Sequence, residues 1–160
     1  GFDGPRALHL CASVNLPYLL ELGVELLSFD AYQMELMPRG YASAVAKFIR
    51  SGGIISWGIV PTDSESLTKE TPATLAGLLS SYWEVISQNT GLAAKQIVQQ
   101  ALIAPARCCL KNIGRVGASD ETAICETKGS SDLTLEEQLV ERALVSLGTL
   151  SGILKDKFDL

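Results

Sequence analysis

No cluster of lysine or arginine, no long apolar run and only one histidine occur in this 160-residue sequence. Each shortage narrows what the protein can be. Without a basic patch, and with a formal net charge of −5, the chain offers no surface that would attract a phosphate backbone, so nucleic acid is not an expected partner. No apolar segment approaches the roughly 18 residues that a membrane-crossing helix needs. The N-terminus also lacks a charged segment leading into an apolar one. The expectation is a cytoplasmic protein with no membrane partner. Without an export signal, the four cysteines, Cys11, Cys108, Cys109 and Cys125, are expected to be reduced thiols or metal ligands rather than a disulfide framework. The plainer alternative, above all for Cys109 and Cys125, is that they are small buried hydrophobes.

What is present is material for a core: 47% of the residues are hydrophobic, enough for a single domain over residues 1–160. The first residues run almost at once into a strand, an opening that suggests a fragment of a longer protein. From there strand and helix patterns alternate. Residues 7–11 are a short apolar run suited to a buried strand, and 15–23 begin with a capping Asn15, carry Pro17 in the first turn and stop at Gly23. Residues 24–32 read as a second strand. Residues 41–50 read as a helix with Val45, Phe48 and Ile49 on one face, ending at Ser51-Gly52-Gly53. The run 54–60 is a third strand closed by Pro61. A polar loop then leads to a helix over about 72–88, with Leu75, Leu78, Leu79, Tyr82 and Ile86 at helical spacing. A short helix over 92–100 precedes a fourth strand at 101–105. Thr134-Leu135-Glu136-Glu137 is a capping-box signature opening a last helix, whose buried side is Leu135, Leu139, Ala143, Leu147, Leu150 and Leu154.

Four β/α units imply a parallel sheet with helices packed outside it, in an open doubly wound sheet or a closed barrel. Four are too few to close a barrel, which needs roughly 250 residues. Two unpaired edges would remain, so the expected partners include a second copy in a homodimer, or a missing N-terminal half barrel. Between 111 and 132 lies a glycine-, serine- and charge-rich segment with no period, of the long kind that is usually functional or mobile.

The chemistry-bearing residues gather at strand ends. His9 stands two residues before Cys11, a spacing that puts both side chains on one side of a strand. On its own the pair reads equally well as a satisfied core histidine beside a buried cysteine. Cys108, however, follows the fourth strand, and Asp30 ends the second, so all four fall at the C-terminal face where barrel active sites form. One imidazole, two thiolates and a carboxylate make a tetrahedral zinc sphere, with the fourth position taken by Asp30 or left open for substrate. Arg107 and Lys111 flank Cys108 and would raise its thiolate character, or serve only at the surface. Asp63 and Glu65 follow the third strand on the same face, as substrate ligands or as a solvated loop. Trp57 and Tyr32, at or near strand ends, pack in the core or line a pocket.

His9-Leu10-Cys11, the strand end Leu27-Ser28-Phe29-Asp30, the strand over 53–62 and the turn Cys108-Cys109-Leu110 together resemble the C-terminal catalytic barrel of cobalamin-independent methionine synthase. The wider superfamily also holds corrinoid-linked methyltransferases and uroporphyrinogen decarboxylase. The resemblance covers nearly the whole chain and implies an α/β fold of four β/α units, the C-terminal half of a TIM-type (β/α)8 barrel. It implies zinc as cofactor, His9, Cys11 and Cys108 as ligands, and Asp30 at the position of a glutamate ligand. Asp30 is one methylene shorter, and Cys109 stands where the family has glycine. The arginines, scattered at 6, 39, 50, 107, 115 and 142, do not form the pocket a porphyrin decarboxylase needs.

The implied activity is zinc-dependent methyl transfer to a thiol, homocysteine or similar, from methyl-folate or a methyl-corrinoid. Asp30 is a zinc ligand, a proton acceptor or a contact for an amino group. Trp57 and Tyr32 then line a pocket for the pterin or corrinoid donor, unless they simply pack. The corrinoid-linked enzymes are the runner-up. A non-catalytic metal-binding half barrel that needs a partner half is the reading from another class, since the donor's residues would come partly from strands this chain lacks. The isolated fragment is then expected to be inactive. A last alternative is that only the fold is shared and the function differs.

Overall fold

The structure, a computed structural model, describes residues 4–11, 15–34, 36–107 and 135–159. Four strands, β1 (Ala7–Leu10), β2 (Leu26–Asp30), β3 (Ile54–Val60) and β4 (Ala101–Pro105), alternate with helices α1 (Leu16–Leu20), α2 (Arg39–Arg50), α3 (Ser64–Lys69), α4 (Pro72–Thr90), α5 (Ala94–Gln99) and α6 (Leu135–Phe158). All strand pairs are parallel and their spatial order is their chain order. A doubly wound sheet reverses direction at a switch point, and among the described strands there is none.

Helices α1, α3 and α4 start where a side chain satisfies one of their first amides. Asn15 accepts from the Tyr18 amide at 3.3 Å. Thr71 and Thr74 exchange side-chain and backbone bonds in a capping box ahead of Pro72, and α4 ends at Gly91 with φ +68°, a left-handed turn that glycine adopts without steric cost. Helix α3 falls where a polar loop was expected. Six residues with one buried side chain, Leu67, are too few to show a period, but Asp63 caps them by accepting from the Ser66 amide at 2.8 Å.

Register divides the sheet into two faces. On one, Phe29 and Trp57 have ring centroids 5.6 Å apart, Trp57 meets Trp83 of α4 at 6.3 Å, and Trp83 meets Phe158 of α6 at 5.6 Å. This is the helix-covered face. The helices α1, α2, α4 and α6 touch in succession along it. Leu27, Ile55, Leu79, Ile86, Ile97 and Leu150 are fully buried there, each stabilising the fold by about 1.5–3 kcal/mol through removal of apolar surface from water. On the last helix Leu139, Ala143, Leu150 and Leu154 are buried as the sequence spacing predicts. The capping-box Thr134 and the segment 111–132 lie outside the described residues.

The other face bears His9, Ser28, Ser56 and Leu102, aligned across the four strands, and among the described residues no helix covers it. Leu102 is 50% exposed and Ile54 37%. No helix among the described residues is long and apolar enough to cross a membrane.

Candidate functional site at the C-terminal strand ends

The open face becomes more polar toward the C-terminal ends of the strands. His9 Nε2 lies 3.0 Å from Cys11 Sγ, and His9 Nδ1 lies 2.9 Å from the Ser28 hydroxyl on β2. The strand alternation that sends Leu8 and Leu10 toward the helices sends His9 to the open side, and Cys11 follows just past the strand end. Cys108 lies outside the described residues. Among those described, no group of three or more His, Cys, Asp and Glu side chains stands together as a metal site. Two donors of the expected set are therefore in contact.

Asp30 closes β2 with a side chain only 1% exposed. Its Oδ2 accepts from Arg107 Nε at 3.1 Å, and its Oδ1 accepts from the Gln33 amide at 3.2 Å. Arg107, read from the sequence either as a charge beside Cys108 or as a surface residue, reaches across the sheet to a carboxylate 77 residues earlier. That pairing has no local sequence signature. Gly58, between them in register, makes the approach possible. A Cβ there would stand 2.6 Å from the Phe29 carbonyl oxygen and 3.0 Å from that of Pro105. Its own carbonyl accepts from the amides of both Ala31 and Tyr32, turning the chain away from the sheet directly after Asp30.

Around this ion pair lies a cavity of about 240 Å³ formed by the residues that follow β2, β3 and β4. Asp30, Tyr32, Gln33, Thr62, Asp63, Ser66 and Arg107 contribute to its wall. It lies where ligands bind in parallel α/β sheets, outside the carboxyl ends of the strands. No family model, curated protein or solved structure matches the chain. The cavity is thus read from its own chemistry: two carboxylates, one guanidinium, two hydroxyl side chains and a phenol.

Tyr32 Oη donates to Glu70 Oε1 at 3.1 Å. Burial first, then the Glu70 charge against a bond from Ser66 that works the other way, leaves the phenol harder to ionise than usual. Tyr82 of α4 donates to the carbonyls of Ala31, at 3.3 Å, and Met34, fastening the loop after β2 from beneath. Burial, with the Asp30 charge second, pushes its pKa up to about 12, so it remains a donor wherever the protein would work.

The structure places Tyr32 and Asp63 on the cavity wall, as one of the readings of each expected. Trp57 is fully buried on the helix side between Phe29 and Trp83, where it packs and lines no donor pocket. Glu65 pairs with Lys69 on the exposed side of α3 and is not part of the wall. Sequence reasoning missed Thr62, Ser66 and the Tyr82 strut. Parity along β3 was the available signal for Trp57: Ser56 and Gly58 share the face of His9, and Trp57 falls between them.

Proposed function

We propose that this chain is the metal-carrying half of a (β/α)8 barrel that activates a thiol for methyl transfer, resembling the C-terminal barrel of cobalamin-independent methionine synthase. The observation that carries this reading is the His9–Cys11 contact at the C-terminal end of β1; the cavity opens at the same ends of β2, β3 and β4. A soft thiolate and an imidazole suit zinc. Their 3.0 Å separation is close enough for one tetrahedral ion to take both after a small side-chain rotation. Cys108, directly after Arg107, supplies the third donor in this reading. When bound, zinc lowers the pKa of a substrate thiol so that it reacts as a thiolate.

The chain's own residues do the rest. Ser28 holds the His9 ring through Nδ1, leaving the Nε2 lone pair directed toward the metal position. Asp30 and Arg107, locked to each other, present opposite charges beside the cavity, where an amino-acid thiol such as homocysteine would place its ammonium and carboxylate groups. Asp63, Thr62 and Ser66 add polar contacts that fix the substrate's orientation, and orientation alone can supply a large part of a rate enhancement. Ligation of the metal by Asp30 requires it to exchange Arg107 for the ion. The methyl donor, a folate or a corrinoid, enters over the open face.

The decisive measurement is metal content and thiol binding. The purified, unchelated chain is expected to carry one zinc per copy, and homocysteine is expected to shift the absorption of the cobalt-substituted protein. Cys11→Ser should lower zinc occupancy sharply without unfolding the chain. Absence of zinc in the unmutated protein, or an unchanged zinc content in Cys11→Ser, overturns the reading.

A further inference from the structure

We propose that the strand-end cavity holds a carboxylate subsite, in which the outer edge of the Arg107 guanidinium and the Thr62 hydroxyl grip the acid group of a small organic ligand. As an account of the substrate, the inference rests on the thiol-activation reading and narrows it to thiols that carry an acid. As a binding site it needs no metal.

Two polar groups on the cavity wall are left without partners. Arg107 meets Asp30 through Nε alone, at 3.1 Å. Its Nη1 and Nη2 have no partner among the described residues. The side chain keeps 29% of its surface in solvent, so the edge turned away from Asp30 can be reached from outside. Two parallel N–H groups on such an edge fit the two oxygens of a carboxylate. Asp30, nearly sealed from solvent and bonded also to the Gln33 amide, holds the guanidinium in place before any ligand arrives, which lowers the ordering cost of binding.

Thr62 is the second group. It lies on the cavity wall although only 6% exposed, and its hydroxyl has no partner among the described residues. The indole nitrogens of Trp57 and Trp83 and the Ser80 hydroxyl also lack partners there, but they are wholly enclosed. The Thr62 hydroxyl is not, so the surface it keeps opens on the cavity. Register brings the two groups together. Val60 of β3 is paired with Pro105 of β4 and accepts from the Ala106 amide at 2.7 Å, and Thr62 and Arg107 each stand two residues past that pair. A hydroxyl that has lost most of its water on folding is destabilising until an acceptor returns, and a ligand oxygen is such an acceptor.

The rest of the wall sets the ligand's size and charge. The volume is about 240 Å³; since a cavity of roughly 150 Å³ holds a benzene ring, there is room for roughly eight to ten non-hydrogen atoms. Asp30 and Asp63 put two carboxylates beside one guanidinium, so the wall repels a dianion such as phosphate and favours a single acid group on a ligand that also carries an ammonium. Tyr32 is already engaged with Glu70 and Ser66, which leaves the acid group to Arg107 and Thr62.

Isothermal titration calorimetry on the full chain, stripped of metal with a chelator, tests the subsite. The probe is L-norvaline, which has the size of homocysteine without its sulfur. Norvaline should bind, and L-norvalinamide, which lacks the acid charge, should bind at least about 10-fold more weakly. Inorganic phosphate should not compete. Thr62→Val keeps the shape of the side chain and, because the hydroxyl has no partner, the fold; it should weaken norvaline binding about 3–10-fold. Arg107→Lys keeps a positive charge opposite Asp30 but loses the fork, and should weaken it at least about 10-fold. Both variants should keep the circular dichroism of the unmutated chain.

No norvaline binding up to about 10 mM overturns the subsite, and is the result expected if an acidic side chain of the chain itself sits on Arg107. Equal binding of the amide, effective competition by phosphate, or norvaline affinity unchanged in both variants overturns it as well. Zinc content of the unstripped chain keeps the two ideas apart. A zinc-loaded chain whose stripped form ignores norvaline loses only the subsite, and a zinc-free chain that binds norvaline through Arg107 and Thr62 keeps the subsite and loses the thiol-activation reading.

Discussion

Phe29 and Trp57 differ from Ser28 and Ser56 by one step along the same strands, yet the two pairs belong to different parts of the molecule. The aromatic pair is part of a line of rings that runs through Trp83 to Phe158. The serine pair, with His9 and Leu102, forms a row that no helix covers among the described residues. One face is filled by helix side chains, and among the described residues the other is left without them. A helix-covered face should therefore lose stability when truncated, and the open face should lose chemistry.

The most damaging substitution expected is Trp57→Ala. Its ring is fully buried between Phe29 and Trp83, and a cavity of that size in a close-packed core costs about 3–5 kcal/mol. Urea unfolding followed by circular dichroism measures it. A loss below about 1 kcal/mol would place Trp57 on a soluble wall instead of in the core.

Second in size is the ion pair between Asp30 and Arg107 at the strand ends. Arg107→Met leaves the Asp30 carboxylate buried with, among the described residues, the Gln33 amide as its donor, and the expected loss is about 2–3 kcal/mol, reduced from a fully buried case by the partial exposure of Arg107. Adding Asp30→Asn removes the stranded charge, so the double variant should recover more than half of that loss. Additive losses in the double-mutant cycle would show that the two groups are not coupled.

These expectations also show how legible the molecule was from its residues. The four strands and the long helices announce themselves by period, because burying one stripe or one face forces apolar residues into register with the backbone repeat. The His9–Cys11 contact was legible for the same reason, since two residues apart on a strand means the same side. The Asp30–Arg107 bond was not, because it depends on which strands become neighbours and on a glycine that lets them approach. Helix α3 escaped because a single buried leucine has no period, although Asp63 and the acidic and basic residues at its two ends were its capping signals. For Arg107 the sequence offered its neighbour Cys108 or the surface, and neither reading pointed to the carboxylate it meets in space.

Tyr82 gives a smaller effect with a pH signature. Tyr82→Phe removes the bonds to the Ala31 and Met34 carbonyls, at a cost of about 1 kcal/mol at neutral pH. With a folded-state pKa raised from 10.0 to about 12, the unfolded chain releases the phenol proton first, so stability falls as pH rises from about 10 toward 12, by up to about 1.4 kcal/mol per pH unit. The phenylalanine variant lacks that contribution. Its stability relative to the unmutated protein should improve steadily across that interval, and parallel curves would mean that Tyr82 ionises freely.

The smallest expected change in stability is on the open face, and it separates the two faces most clearly. Ser28→Ala removes one hydroxyl that is 9% exposed and bonded to His9 Nδ1 at 2.9 Å, which costs at most about 1 kcal/mol. If the His9 ring is a ligand through Nε2, that hydroxyl fixes its tautomer and its angle, and outer partners of this kind change metal affinity about 10–100-fold. A competition titration against a chelator should therefore show weaker zinc binding in a protein whose unfolding curve has hardly moved. Ser56→Ala, on the same face but one strand further from the histidine, is the control. Equal affinity in all three proteins would mean that the hydroxyl holds His9 for packing alone, and the asymmetry between the two faces would then be one of burial without chemistry.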